Sequence, residues 1–176
     1  ISRPSYRPIM DKPLHERVEI MRDPEFRAKL IAEKPEKGHP FINSLAGAHH
    51  KMFELGDPPN YEPDPKDSIA ERAKSLGVNP DELVYDALLA DEGNSFLYFP
   101  MHNYTAGDLE NVRAMIENPN TLSGLSDGGA HVGAICDVSL PTTMLTHWCR
   151  DRTRGPKLDL ARVIRGLRHI PEVVRI

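Results

Sequence analysis

Apolar residues recur at helical spacing from Leu14, and Leu14, Val18 and Met21 share one face. Helical character continues to about Lys34. The Asp23-Pro24 step predicts a split into two helices, with Asp23 as the cap and Pro24 at the first helical position. The mixed pattern over Gly38–Leu55 leaves room for a short strand around Phe41–Leu45. Ser68-Ile69-Ala70-Glu71 has the form of a capping box, and the helix it opens should run to Leu76 and stop at Gly77. Asn79-Pro80-Asp81-Glu82 predicts the next helix, with Leu83, Val84, Ala87 and Leu88 as its apolar face and Gly93 after it.

The pattern then changes. Phe96-Leu97-Tyr98-Phe99 is a compact apolar run stopped by Pro100, which reads as a buried strand. Met101–Thr105 would be the loop that follows, and Gly107–Glu117 a helix with Leu109, Val112 and Ile116 inward. Thr121–Ser126 reads as a second strand, and Pro141–Cys149 and Asp159–Leu167 as further helices. Strand, loop, helix, strand, loop, helix is the rhythm of parallel βα units. A complete (β/α)8 barrel needs ~200 residues or more. The fold class expected is therefore α/β, a partial TIM-type barrel made of its last βα units, with a helical insertion. Residues 1–95 would be the helical insertion or lid and 96–176 the barrel units. No internal repeat is visible.

Composition narrows the function classes. The 176 residues are 39% hydrophobic and 27% charged, as in an ordinary folded domain. The formal net charge is -4 with no dominant basic run, which argues against nucleic acid or an acidic membrane as the main partner. No apolar stretch approaches the ~18 residues of a membrane span, and no signal-peptide pattern opens the chain. Cys136 and Cys149 make no disulfide framework and read as free thiols in a reducing compartment, so a cytoplasmic location is expected. The 16 prolines gather mostly in Arg3–Pro13, Pro35–Pro40 and Pro58–Pro65, which marks these as connectors. Ile1 fits a chain that begins inside a longer gene product.

The segment Leu122–His131 carries the strongest candidate chemistry. A short apolar run ends in Asp127, followed by Gly128-Gly129 and His131. This places a carboxylate at the C-terminal tip of an expected strand, where α/β proteins assemble their sites. The glycines let the backbone bend sharply and leave room beside the acid. Asp127 could act as a general base, a metal ligand, or both. It could equally cap a turn, since Asp before Gly is common there. His131 could touch substrate or bond to backbone. His102-Asn103-Tyr104 would face the same end as Asp127, with Asn103 and Tyr104 as donors to a substrate or as loop packing. His49-His50 cannot converge on one helix face, and His-x-His, His-Glu-x-x-His and Cys-x-x-Cys are absent from the sequence. The sequence also lacks a phosphate-binding glycine loop. Arg150–Gly155 could bind an anion or a partner, but a solvated, salt-bridged turn is the better reading.

Gly124–Gly133, followed by Asp137, Ser139, Pro141-Thr142, Leu145-Thr146-His147-Trp148 and Arg150–Gly155, resembles the C-terminal part of the N-acyl-D-amino-acid deacylase (D-aminoacylase-like) group of metal-dependent amidohydrolases. Arg3-Pro4-Ser5-Tyr6, Leu14–Val18, Arg22–Arg27, Tyr61-Glu62-Pro63, Asp91-Glu92-Gly93 and Asn103-Tyr104 resemble the same group. The likeness covers roughly Arg3 to Leu160, and the Asp127 block is its most specific part. It implies zinc-assisted hydrolysis of an amide or other non-peptide C–N bond on a (β/α)8 barrel, with an N-acyl amino acid as the small-molecule partner. Asp127 would lie at the end of the eighth strand, assist the metal-bound water, pass its proton to the leaving nitrogen, and contact a secondary metal position. Ser5, Tyr6, Asn103 and His131 would lie near substrate.

The chain departs from the group in three ways. The His-x-His of the first strand and the ligands of the middle strands are missing from this sequence, and so is the β-sandwich. The segment Val163–Pro171 does not follow the group's pattern. The expectation is a fragment that holds no zinc tightly and is inactive alone. It would pair with a second copy or with the missing part of the barrel, because a half-barrel exposes strand edges and apolar faces. The alternative is a non-catalytic remnant that serves as an oligomerisation or binding module. A third reading is a cyclic-amide hydrolase of the same superfamily.

Overall fold

A computed structural model of the chain describes residues 3–34, 36, 44–123 and 137–173. The chain divides into two compact units, 1–107 and 108–176.

In the first unit, Arg3 leads into a tight 3-10 turn over Pro4–Ile9. Helix α1 spans Leu14–Arg22 and α2 spans Pro24–Ala32. The break between them is the expected one: Asp23 is extended, and its carboxylate accepts from Phe26 N at 2.8 Å. Helix α3, Ile69–Leu76, opens on Ser68, whose Oγ accepts from Glu71 N at 3.3 Å. It stops at Gly77, which adopts the left-handed conformation at φ 68°. Helix α4, Pro80–Gly93, starts on Asn79, whose side chain accepts from Asp81 N. Its last turn is distorted: Ala90 is extended, and Asp91 and Glu92 have positive φ. The residue of α4 that is buried is Tyr85, while Leu88 is 41% exposed, so its inward face is rotated from the one the leucines suggested.

Strands β1, Phe53–Glu54, and β2, Leu97–Tyr98, pair antiparallel, with Phe53 opposite Tyr98 and Glu54 opposite Leu97. This corrects the expectation of a buried strand over Phe96–Phe99. The strand is two residues long, and Phe96 is 70% exposed. Pairing with β1 also holds the segment after residue 95 in the first unit. Tyr104 adds to this by packing edge-on against Phe53 and donating its hydroxyl to the Pro63 carbonyl. These contacts lie within the first compact unit, which ends at Gly107. Ile9, Val18, Leu30, Met52, Phe53, Ile69, Ala73 and Tyr85 are the buried apolar residues here.

In the second unit, α5 spans Glu110–Glu117 and α6 spans Leu140–Thr143. A π-helical stretch, Met144–Asp151, continues α6, and α7 spans Leu160–Val173. Met144, Trp148, Leu158 and Val163 form the core, and Leu109, Val112 and Ile116 pack on it as their spacing predicted. Arg152 is buried against this core. Its guanidinium lies 5.0 Å from the Trp148 ring centroid, bonds Glu110 at 2.6 Å and donates to the Pro156 carbonyl at 2.9 Å. The charged segment 150–155 is thus only partly a solvated turn. Arg150 and Asp151 form an exposed pair, but Arg152 is a structural side chain. Thr121–Ser123 has no regular structure, and the rest of the expected strand over Thr121–Ser126 lies outside the described residues, as do Cys136 and most of the expected strand at Phe41–Leu45. Among the described residues, no helix is long and apolar enough to cross a membrane.

Candidate functional site

The first unit contains an apolar cleft of about 450 Å³. Its walls come from α1 (Leu14, Val18, Met21), the end of α2 (Leu30, Ile31) and α4 (Val84, Leu88, Leu89). The face that Leu14, Val18 and Met21 share in sequence is therefore the face presented to the cleft. Close approach of α1 to the end of α4 depends on Gly93. Its φ is 80°, and a Cβ there would come 2.8 Å from Val18 Cγ2 and 3.1 Å from Leu14 Cδ1.

Charged or hydroxylic side chains break this apolar lining: Arg3, Tyr6, Arg17, Asp81, Tyr85 and Ser95. The charged ones fall into two groups. Arg3 donates from Nη1 to the carbonyls of Leu30 (2.5 Å) and Ile31 (2.6 Å), the last turn of α2, where a cation offsets the helix dipole. Its Nη2 bonds Asp81 at 2.6 Å. Asp81 also meets His49 Nε2 at 2.9 Å. This group is internally neutralised and ties the chain start to the first turn of α4.

Among the described residues, the second group is not neutralised. Arg17 donates from Nη1 to the Tyr6 hydroxyl at 2.9 Å, and its Nε is buried without an acceptor among the described residues. Tyr6 is uncharged, so the phenol satisfies one N–H without balancing the charge. It accepts from Arg17 and keeps its own proton to donate. Nearby, Tyr85 donates to the Met21 carbonyl at 2.7 Å under the Arg27 guanidinium. Burial pushes the Tyr85 phenol up to about 12.

The structure separates the expected site residues. Tyr6 lines the cleft. Ser5 does not, because its backbone N–H and its hydroxyl both bond the Glu33 carboxylate, which holds that carboxyl below its usual range. Asn103 is exposed in the loop after β2 with φ 58°. Tyr104 packs that loop, the blander of its two readings. Asp127 and His131 lie outside the described residues. In the second unit Cys149 is a free thiol whose Sγ donates to the Met144 carbonyl, and burial raises its pKa, so it is not an activated nucleophile.

Arg17 is the site residue that sequence reading missed. The signal was present: Arg17 stands three residues after Leu14 and four before Met21, within the apolar stripe of α1. An arginine there reads as a snorkelling surface residue unless its neighbours are known to wall a cleft. Comparisons of the chain with family models, curated proteins and solved structures return no match.

Proposed function

We propose that this chain is part of a metal-dependent amidohydrolase that hydrolyses the C–N bond of an N-acyl-D-amino acid, with Asp127 as the proton-transfer residue. The observation that carries this reading is the run Gly124–Gly133 with its flanking Asp137, Thr142, His147-Trp148 and Arg150–Gly155, which resembles the deacylase group. The chemistry suits an aspartate. Amide hydrolysis needs a base to take a proton from the attacking water and an acid to give it to the leaving nitrogen, and one carboxylate can do both in turn. In this reading the polypeptide belongs to a TIM-type barrel, and residues 1–95 contribute an insertion.

The zinc of that group finds no matching ligand set among the described residues. Among the described residues, no three His, Cys, Asp or Glu side chains are grouped to hold a metal ion. His49 and Asp81 meet, but the third member of their cluster is Arg3, a cation. We therefore expect the chain alone to bind zinc weakly and to leave N-acyl-D-amino acids intact. Assay of the purified 176-residue protein with added zinc tests this. Clear turnover that disappears in Asp127→Asn would overturn the claim that the chain is catalytically incomplete.

A second reading, a non-catalytic binding module, draws support from the cleft, because its lining comes wholly from residues 3–97. Ligand binding by a protein that shows no turnover in any assembly favours this reading over the first.

A further inference from the structure

We infer that the cleft in the first unit binds a small monocarboxylate with an apolar body, its carboxylate seated on Arg17 and Tyr6. This rests on residues 3–97 alone and stands whether or not the chain belongs to a hydrolase.

Charge selects the class of ligand. The lining holds two arginines and one aspartate. Arg3 and Asp81 neutralise each other at 2.6 Å. Arg17 meets no carboxylate among the described residues, and its one hydrogen-bond partner there is the neutral Tyr6 hydroxyl. A partly buried cation beside an apolar wall, with no carboxylate against it among the described residues, attracts an anion. A carboxylate fits the hydrogen-bonding inventory as well. It is acceptor-only, and it would pair with the Arg17 guanidinium and the proton that Tyr6 keeps for donation. A cationic ligand would meet the uncompensated Arg17, and a neutral one would leave that charge uncompensated.

The rest of the cleft selects the ligand's body. Leu14, Val18, Met21, Val84, Leu88 and Leu89 offer aliphatic contact without further charge. A volume near 450 Å³ lies within the range of small-molecule sites. One carboxylate at one end of an unbranched or lightly branched apolar chain matches both features. A fatty acid and an N-acyl amino acid both have this chemistry.

Calorimetric titration of the 176-residue protein with decanoate, decanol and N-decanoylglycine, each below its aggregation threshold, tests the inference. Saturable binding of at least one carboxylate, at least tenfold tighter than decanol, is expected, and the tighter carboxylate identifies the source. Arg17→Met keeps an apolar stem and should abolish the preference over decanol. Tyr6→Phe should reduce it several-fold. Val84→Trp should fill the cleft and weaken all three ligands together. Far-UV circular dichroism confirms that each variant is folded, and Arg72→Met, an exposed substitution away from the cleft, should bind as the parent does. Equal affinity for decanoate and decanol, or a preference that survives Arg17→Met, would overturn the inference. So would the absence of saturable binding by either carboxylate.

Discussion

Gly93 sits against Val18 so closely that a Cβ on the glycine would lie 2.8 Å from Val18 Cγ2. Gly93 also has φ 80°, a conformation that L side chains rarely adopt. Both effects oppose a side chain there. Gly77 has φ 68° with nothing within 4 Å of its hypothetical Cβ, so it isolates the backbone effect. Gly77→Ala should cost about 1 kcal/mol. Gly93→Ala should cost more, about 2–3 kcal/mol, because strain and overpacking add. Urea unfolding midpoints of the two variants check the order.

Ser68 is buried and caps α3 through its hydroxyl. Ser68→Ala should destabilise the protein by about 1 kcal/mol, and Ser68→Asp should recover part of that loss through the same acceptor geometry. The urea midpoint reports both.

Arg152 is the buried cation of the second unit, held by Glu110, the Pro156 carbonyl and the face of Trp148. Arg152→Met should lower the urea midpoint further than Ser68→Ala does, since it removes the charge-assisted bonds and the planar stacking at once. Arg152→Lys should not rescue it, because a compact ammonium lacks the planar fork. Loss of Trp148 fluorescence change on unfolding identifies the unit affected.

The carboxylates predict how stability depends on acid. Hydrogen bonds from Arg113 and then Arg152 hold Glu110 below its ordinary value of 4.5, and Ser5 does the same for Glu33. A carboxylate whose folded pKa is depressed stabilises the fold above its unfolded value, and that contribution is lost as pH falls through the folded one. Stability should therefore be flat near neutrality and decline below about pH 4.5. Glu110→Gln should flatten part of this decline in midpoints measured from pH 7 to pH 3. At the alkaline end the sign reverses. Burial raises Tyr85 to about 12, so its neutral form is favoured in the fold and stability should fall as pH rises from about 10. Tyr85→Phe should remove that loss, at the expense of the hydrogen bond to Met21, worth about 1 kcal/mol.

Local features were the legible part of this chain. The caps at Asp23, Ser68 and Asn79 form as read, because each is a hydrogen bond closed within three residues. The inward face of α5 was legible for the same reason, since Leu109, Val112 and Ile116 need only a helix and a core to meet. Pairing was not legible. Leu97–Tyr98 finds its partner in Phe53–Glu54, far back along the chain, and nothing local distinguishes an antiparallel partner from a parallel one. The π-helical turn over Met144–Asp151 and the burial of Arg152 under Trp148 were hidden likewise, as both depend on tertiary packing. At the cleft, Arg17 was not expected, because an isolated charge becomes a site only when its surroundings withhold a counter-charge.

Asp127 is proposed to move the proton in a zinc-assisted amide hydrolysis. The most direct test is turnover of N-acyl-D-amino acids by the chain expressed with the in-frame coding sequence upstream of Ile1. The longer protein should hold zinc and hydrolyse these substrates. Asp127→Asn should then lower kcat by at least about a hundredfold while zinc content is retained. A longer protein that holds zinc yet leaves these substrates intact, or turnover undiminished in Asp127→Asn, would contradict the proposed role.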